Sequence, residues 1–331
     1  MTDAGPVLVH GTGSIGTRHL SVLRDRLGVT AVAMPVRPDR AAELSRAGFD
    51  VATTLKDAGG FNPRRSIVAT DTSRHVEDVL ALLPFGDVLV EKPVAPSARG
   101  IASLAAAATK NGRAVYVALP FRFDAGLRGL AEACDRIGTL VSVRIECESW
   151  LPDWRPQRDY RESYSARADE GGVLRDLAHE LDYAVRLFGR PQTVFCGMSN
   201  QRLLGIDAEE SADLWWESPA CVPVSIHLDY VSPVSRRMTR VVGREGTVVW
   251  NALDGSVTRT APDGSVEAQS FPVDRDATMV RMLSAFLAED ASDRAWLATL
   301  DEGGFIAALT DAARRSAESG RQETIPDWRR E

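Results

Sequence analysis

Nothing in the sequence marks it for a membrane, a nucleic acid or a disulfide-bonded life outside the cell. No run approaches the ~18 consecutive apolar residues that a membrane helix needs. Basic charge is not in excess: 39 lysines and arginines face 46 aspartates and glutamates, a formal net charge of -7. That balance argues against a broad nucleic-acid surface. No basic stretch followed by an apolar one opens the chain, where VLVHG begins a strand almost at once, so no secretion signal is expected. Cysteine is scarce and scattered. Cys134, Cys147, Cys196 and Cys221 form no C-x-x-C pair and no Cys/His spacing suited to zinc. They read as reduced thiols in a cytoplasmic protein with no metal site. Internal repeats and low-complexity linkers are missing too, so any hinge between domains is short.

What the chain has is length and alternation. At 331 residues it exceeds one typical core and fits two domains, placed at 1–122 and 123–331. Its 44% hydrophobic and 26% charged residues suit an ordinary globular protein. In the first half, the apolar runs VLVHG (7–11), VTAVAM (29–34), SIVAT (66–70), DVLVEKP (87–93) and AVYVAL (114–119) alternate with stretches of helical spacing. Among these are 75–83 and the alanine-rich 98–110, which follows Ser97 and stops at Asn111-Gly112. Asp39 is placed to cap a helix through Arg46. Strands apolar throughout and separated by helices predict an α/β domain: a doubly wound parallel sheet covered on both faces.

The turn after the first strand reads HGTGSIGTRH (10–19). A lone G-x-G-x-x-G is weak, but here it follows a strand and opens a helix, as a dinucleotide fingerprint requires. Gly11 makes the tight turn, Gly13 lets the backbone approach a pyrophosphate, and Gly16 lets helix pack close to strand. Thr12, Ser14 and Ile15 complete the loop, whose free N–H groups are suited to phosphate. At the carboxyl ends of later strands, where such sheets bind ligands, Thr70, His75, Glu91 and Lys92 are expected to meet the cofactor. NAD sites usually place an acid ~20 residues on to hold the ribose. Here AVAMPVRPDR has none at the strand end. Arg37 and Arg40 follow instead, and guanidinium groups suit a 2′-phosphate. The sequence predicts NADP in preference to NAD, with Asp39 the competing ribose ligand.

After Arg122 the pattern changes. A helix over 124–137 leads to alternating runs at 140–149, 192–199, 222–231, 238–243 and 247–252, with turn signals at Asp254-Gly255 and Asp263-Gly264. This predicts an antiparallel sheet buried on one face; its other face is a candidate subunit interface, for a homodimer or homotetramer. Helices over 276–289 and 299–319 close the chain.

Three stretches carry chemistry. EKP at 91–93 stands at a strand's carboxyl end, so Lys92 projects a cation toward the cofactor, or is simply a surface lysine. GGVLRDLAHELDYAVRLFG (171–189) reads as one helix between glycines, with an apolar stripe through Leu174, Leu177, Leu181 and Phe188. Asp176 and His179 lie three apart on an adjacent face. A carboxylate beside an imidazole handles protons, with Asp182 able to orient the ring; the bland reading is a solvated polar face. WLPDWRPQRDYRESYSAR (150–167) mixes Trp154, Tyr160 and Tyr164 with Arg155 and Arg161. Such a loop holds hydroxyls, carboxylates or phosphates, or is a packed surface loop.

G-x-G-x-x-G, then EKP, then GG-x-L-x-D-x-x-H-x-x-D, in this order over nearly the whole chain, resembles the glucose–fructose oxidoreductase / inositol dehydrogenase / MocA family. Asp176 and His179 stand three apart where many members have four. The resemblance implies a Rossmann domain and a C-terminal α+β domain with an open, mostly antiparallel sheet. It implies NAD- or NADP-dependent hydride transfer at a hydroxyl or carbonyl carbon of a sugar, sugar nucleotide or cyclitol. Lys92, Asp176 and His179 then form the catalytic set and also contact substrate, with Arg122, Trp154, Arg155, Tyr160, Arg161 and Tyr164 around it. The alternative is a non-catalytic NADP-binding regulator of the same fold.

Overall fold

In this computed structural model the described residues are 5–274, 276–288 and 294–330. They divide into two compact units. One draws on Met1–Phe123, Arg275–Ala307 and Trp328–Glu331, the other on Asp124–Asp274 and Ala308–Asp327.

The first unit is a parallel sheet of β1 (Val7–His10), β2 (Ala31–Met34), β3 (Asp50–Val51), β4 (Arg65–Val68), β5 (Asp87–Glu91) and β6 (Val115–Ala118). Their order is β6-β5-β4-β1-β2-β3, and Ala298–Thr299 adds an antiparallel edge strand beside β6. All residues of β1, β2 and β4 are buried, because helices cover both faces. Those helices include α1 (Ser14–Ser21), α2 (Asp39–Arg46), α3 (Leu55–Gly60), α4 (His75–Leu82) and α5 (Ile101–Asn111). The direction of winding reverses at β1, which has β2 on one side and β4 on the other. The crevice outside the carboxyl ends of β1 and β4 is therefore the point where such sheets take ligands. Val7, Val9, Ile67 and Leu89 pack in one cluster with Met279, Met282, Leu283 and Phe286 of the late helix Ala277–Leu287.

The second unit holds β7 (Leu140–Trp150), β8 (Thr193–Ser199), β9 (Ser211–Glu217), β10 (Pro223–Asp229), β11 (Val231–Gly243), β12 (Gly246–Asn251), β13 (Ser256–Thr260) and β14 (Val266–Ser270). The order is β14-β13-β12-β11-β7-β10-β9-β8, with Glu323–Thr324 beside β8. Only the pairing of β7 with β10 is parallel among these strands. Burial alternates along β9 and β10, as one covered face requires. The covering helices are α6 (Ala125–Cys134), α7 (Val173–Asp176) and α8 (Ala178–Phe188). Tyr183 of α8 meets the Trp250 ring edge-on at 5.7 Å, and its hydroxyl lies 3.0 Å from Thr239 Oγ1.

Five expectations need correction. The helix over 171–189 is two helices, α7 and α8, broken at Leu177, whose φ of -91° and ψ of 29° leave the helical region. The alanine-rich helix starts at Ile101, not at 98, because Gly100 with φ +91° turns the chain into it. Asp39 makes no cap bond; it is the first residue of α2 after Pro38, where a carboxylate still complements the helix dipole. The run 222–231 is divided: β10 ends at Asp229 and β11 begins at Val231. The late helix expected over 276–289 spans Ala277–Leu287, and position 289 lies outside the described residues. The strands β3, β9, β13 and β14 were not anticipated.

Candidate functional site

The glycine turn is built around two close approaches. Gly11 has φ +89°, and a Cβ there would stand 2.5 Å from the Ala69 backbone. A Cβ on Gly16 would stand 1.9 Å from the Gly11 carbonyl oxygen. Gly13 is different: a Cβ there meets nothing within 4 Å. The first and third glycines are required by the protein's own packing, while the second leaves open space over the start of α1. No side chain caps α1 at Gly13, so its first N–H groups remain for a ligand's phosphate oxygens. These residues fit a dinucleotide.

Arg40 lies at this turn: Nη2 donates to the Thr12 carbonyl at 3.2 Å, and the guanidinium is paired with Glu43. Arg37 is exposed, 3.6 Å from Asp39. Ser14 and Ile15 open α1. Thr70 donates to Asp78 at 2.7 Å. His75 is buried, with Nδ1 2.8 Å from the Pro93 carbonyl oxygen and Nε2 3.1 Å from that of Thr70. Glu91 accepts from the Lys92 backbone N–H at 3.3 Å and lies 2.7 Å from His19 Nε2. Lys92 is half-buried, and a cis peptide joins it to Pro93. Arg122 is buried and paired with Glu302 at 2.9 Å.

In the second unit Asp176 is the focus of a hydroxyl cluster. Its Oδ2 accepts from Ser165 Oγ at 2.6 Å and from the Tyr230 hydroxyl at 2.7 Å, and its Oδ1 accepts from Tyr164. Burial, then the adjacent Asp176 carboxyl, push the Tyr230 hydroxyl well above its ordinary value, so it stays a donor. Gly172, at φ +89°, turns the chain into α7; a Cβ there would press within 2.2 Å of the Glu209 carboxylate. His179 is the second residue of α8 and half-buried. Trp154 is 38% exposed and meets the Tyr230 ring edge-on at 5.4 Å. The loop thus reaches Asp176 three ways, through Tyr164 and Ser165 directly and through Trp154 by way of Tyr230. Tyr160 donates to the Leu204 carbonyl at 3.0 Å, Arg161 lies over the Tyr160 ring at 4.6 Å, and Arg155 is exposed. Sequence reasoning missed Ser165 and Tyr230. Ser165 stood beside Tyr164 in a motif already under scrutiny; Tyr230 carried no local signal.

Two family models match the chain. Residues 6–119 match the oxidoreductase family with an NAD-binding Rossmann fold, and residues 115–249 match the GFO/IDH/MocA C-terminal domain. Among solved structures, a levoglucosan dehydrogenase in complex with NADH and levoglucosan aligns with TM-score 0.80 at 16% identity, over 97% of this chain and 99% of that one. An oxidoreductase from Agrobacterium radiobacter in complex with NAD+, L-tartaric acid and magnesium gives 0.82 at 17%, over 97% and 98%. A probable dehydrogenase from Thermotoga maritima gives 0.78 at 20%, over 97% and 99%. No curated protein sequence matches. At these identities the solved structures establish likeness of fold.

Proposed function

We infer the reaction from one premise: this chain belongs to the GFO/IDH/MocA oxidoreductase family, with its NAD-binding Rossmann fold. We propose an NAD(P)-dependent dehydrogenase or reductase acting on a CH–OH group or its carbonyl in a sugar, sugar nucleotide or cyclitol. The observation that carries this reading is the glycine turn, closed by Gly11 and Gly16 and open over Gly13. The levoglucosan bound by one neighbour supports a carbohydrate-like substrate.

When bound, the nicotinamide supplies or takes up the hydride. The Gly11–Gly16 turn holds the pyrophosphate. Arg37 and Arg40 hold a 2′-phosphate, so NADPH is preferred, although the neighbours named above carry NAD(H). Lys92 binds the reacting oxygen and stabilises its developing negative charge. His179 takes the hydroxyl proton during oxidation and returns it during reduction, since imidazole titrates near neutrality. Asp176, fixed by Tyr164, Ser165 and Tyr230, positions the reacting group. Trp154, Arg155, Tyr160 and Arg161 hold the remote part of the substrate. A cytoplasmic setting fits four free thiols, of which Cys221 is exposed. Assembly as a homodimer or homotetramer fits the outer sheet face, where Phe195 and Trp215 are register partners, 44% and 42% exposed.

The test is turnover, followed by nicotinamide absorbance, on a panel of sugars, sugar nucleotides and cyclitols. Lys92→Ala and His179→Ala are each expected to lower kcat ~100-fold or more, with cofactor affinity nearly intact. Unchanged turnover in both would overturn the assignment. Arg37→Ala is expected to weaken NADPH roughly tenfold or more, the scale of a lost charged hydrogen bond, and to leave NADH unchanged. Wild-type protein that binds NADH as tightly as NADPH would remove the arginine argument.

A further inference from the structure

Three of the five histidines lie along the cofactor edge of the first unit, and each touches a different part of it. His19 is fully buried on α1, the helix that the glycine turn opens. Its Nε2 lies 2.7 Å from Glu91 Oε1, and the other carboxylate oxygen of Glu91 accepts from the Lys92 N–H. On the other flank of Lys92, His75 spans the carbonyls of Pro93 and Thr70. The next residues, Val94 and Ala95, are each 2% exposed. The backbone at Lys92 is therefore fixed on both sides.

The network continues toward the glycine turn. Thr70 donates to Asp78, which also accepts from Arg74 and faces His10 Nε2 at 3.3 Å. His10 Nδ1 lies 3.1 Å from the Met34 carbonyl oxygen, which also accepts from the Gly11 N–H at 3.0 Å. Burial works to raise Asp78, but the bonds from His10, Thr70 and Arg74 outweigh it and hold the carboxyl at about 2. A continuous chain of polar contacts thus joins the ends of β1, β2 and β4 to the turn after β5.

We propose that His19 and His75 are positioning residues that tie the glycine turn to Lys92, so that a cofactor seated on that turn finds the lysine already in place. This rests on the reading that Lys92 works beside the cofactor. α1 is one rigid element. Whatever fixes its first turn fixes His19, and through Glu91 the backbone of Lys92. Displacement by ~1 Å is enough to cost on the order of 100-fold in an active site.

Lysine occurs only at positions 56, 92 and 110, which allows a test that needs no substrate. The whole protein is acetylated with an N-hydroxysuccinimide ester, and each lysine is followed by mass spectrometry, with Lys56 and Lys110 as internal standards. NADH and NADPH are each added at ten times the dissociation constant of the variant in use. In wild type, the cofactor is expected to slow acetylation of Lys92 roughly tenfold, the limit set by occupancy. In His19→Ala and in His75→Ala the cofactor still binds, but protection of Lys92 falls to about threefold or less at the same occupancy. His19→Gln, whose amide can donate to Glu91, restores it. A thermal melt shows which variants fold; if His19→Ala does not, His75→Ala and His19→Gln decide the matter. Full protection in the alanine variants overturns the proposal. Absence of protection in wild type itself overturns its premise, the placement of Lys92 beside the cofactor.

Discussion

Tyr230 illustrates how a single side chain can serve a site from far along the chain. It lies 54 residues from Asp176, yet its hydroxyl is one of three that the carboxyl accepts. Tyr230→Phe keeps the ring against Trp154 and removes only that bond. The expected cost is about 1–2 kcal/mol of stability, the scale of a buried hydrogen bond whose partner stays behind. It is read as a lower denaturation midpoint, together with reduced kcat and an unchanged cofactor affinity. A full-activity variant would show that two hydroxyls suffice to hold Asp176. The same residue marks the limit of sequence reading. Gly11, Lys92 and Asp176 stand in local motifs that the sequence shows directly. Ser165 and Tyr230 acquire their partner only through tertiary folding, and neither the loop before α7 nor the junction of β10 and β11 signals that in its own pattern.

Among elements, β10 carries a pH response that its sequence conceals. His227 lies between Asp213 of β9, at 2.8 Å, and Asp229 of its own strand, at 3.2 Å. The bond to Asp229 leads, and with the bond and charge of Asp213 it outweighs burial, lifting the imidazole to about 9. The unfolded group titrates near 6.5. Below that pH both states hold the proton and the stabilisation is complete; it is lost as pH rises toward and through 9. Denaturant titrations across this window should show wild-type stability declining, and His227→Gln should flatten the decline. Added salt should shrink the effect, because Asp213 is exposed. Elements were legible where periodicity was long. Five of the six parallel strands declared themselves as apolar runs and β7 as an alternating one, while the two-residue β3 gave no such run. The break at Leu177 did not declare itself, because the apolar stripe of 171–189 continues across it, and SADLWWE in β9 alternates in burial but not in sequence, since Trp215 stands beside Trp216.

At the scale of the whole molecule, the outer face of the second sheet sets the expected assembly. Phe195 and Trp215 lie side by side there, and an exposed aromatic pair on a sheet face asks for cover. Light scattering at micromolar concentration should give a dimer or tetramer, and Trp215→Asp should shift it toward the 35.9 kDa monomer; a wild-type monomer would remove this reading. The change of pattern after Arg122 lies beside the first junction of the two units, at Phe123 and Asp124. The return of the late helix Ala277–Leu287 to the first sheet could not be read from the sequence, because its apolar stripe fits any sheet equally well. That return has a consequence in time. A ribosome makes the six parallel strands first, but the methionines and Phe286 that complete their core arrive about half a chain later, on the order of ten seconds or more at ordinary elongation rates. Until then one face of the nascent sheet is only partly covered, by Leu20, Leu23 and Leu44 of the early helices, and in this interval the growing chain is most exposed to chaperones, proteases and its own neighbours.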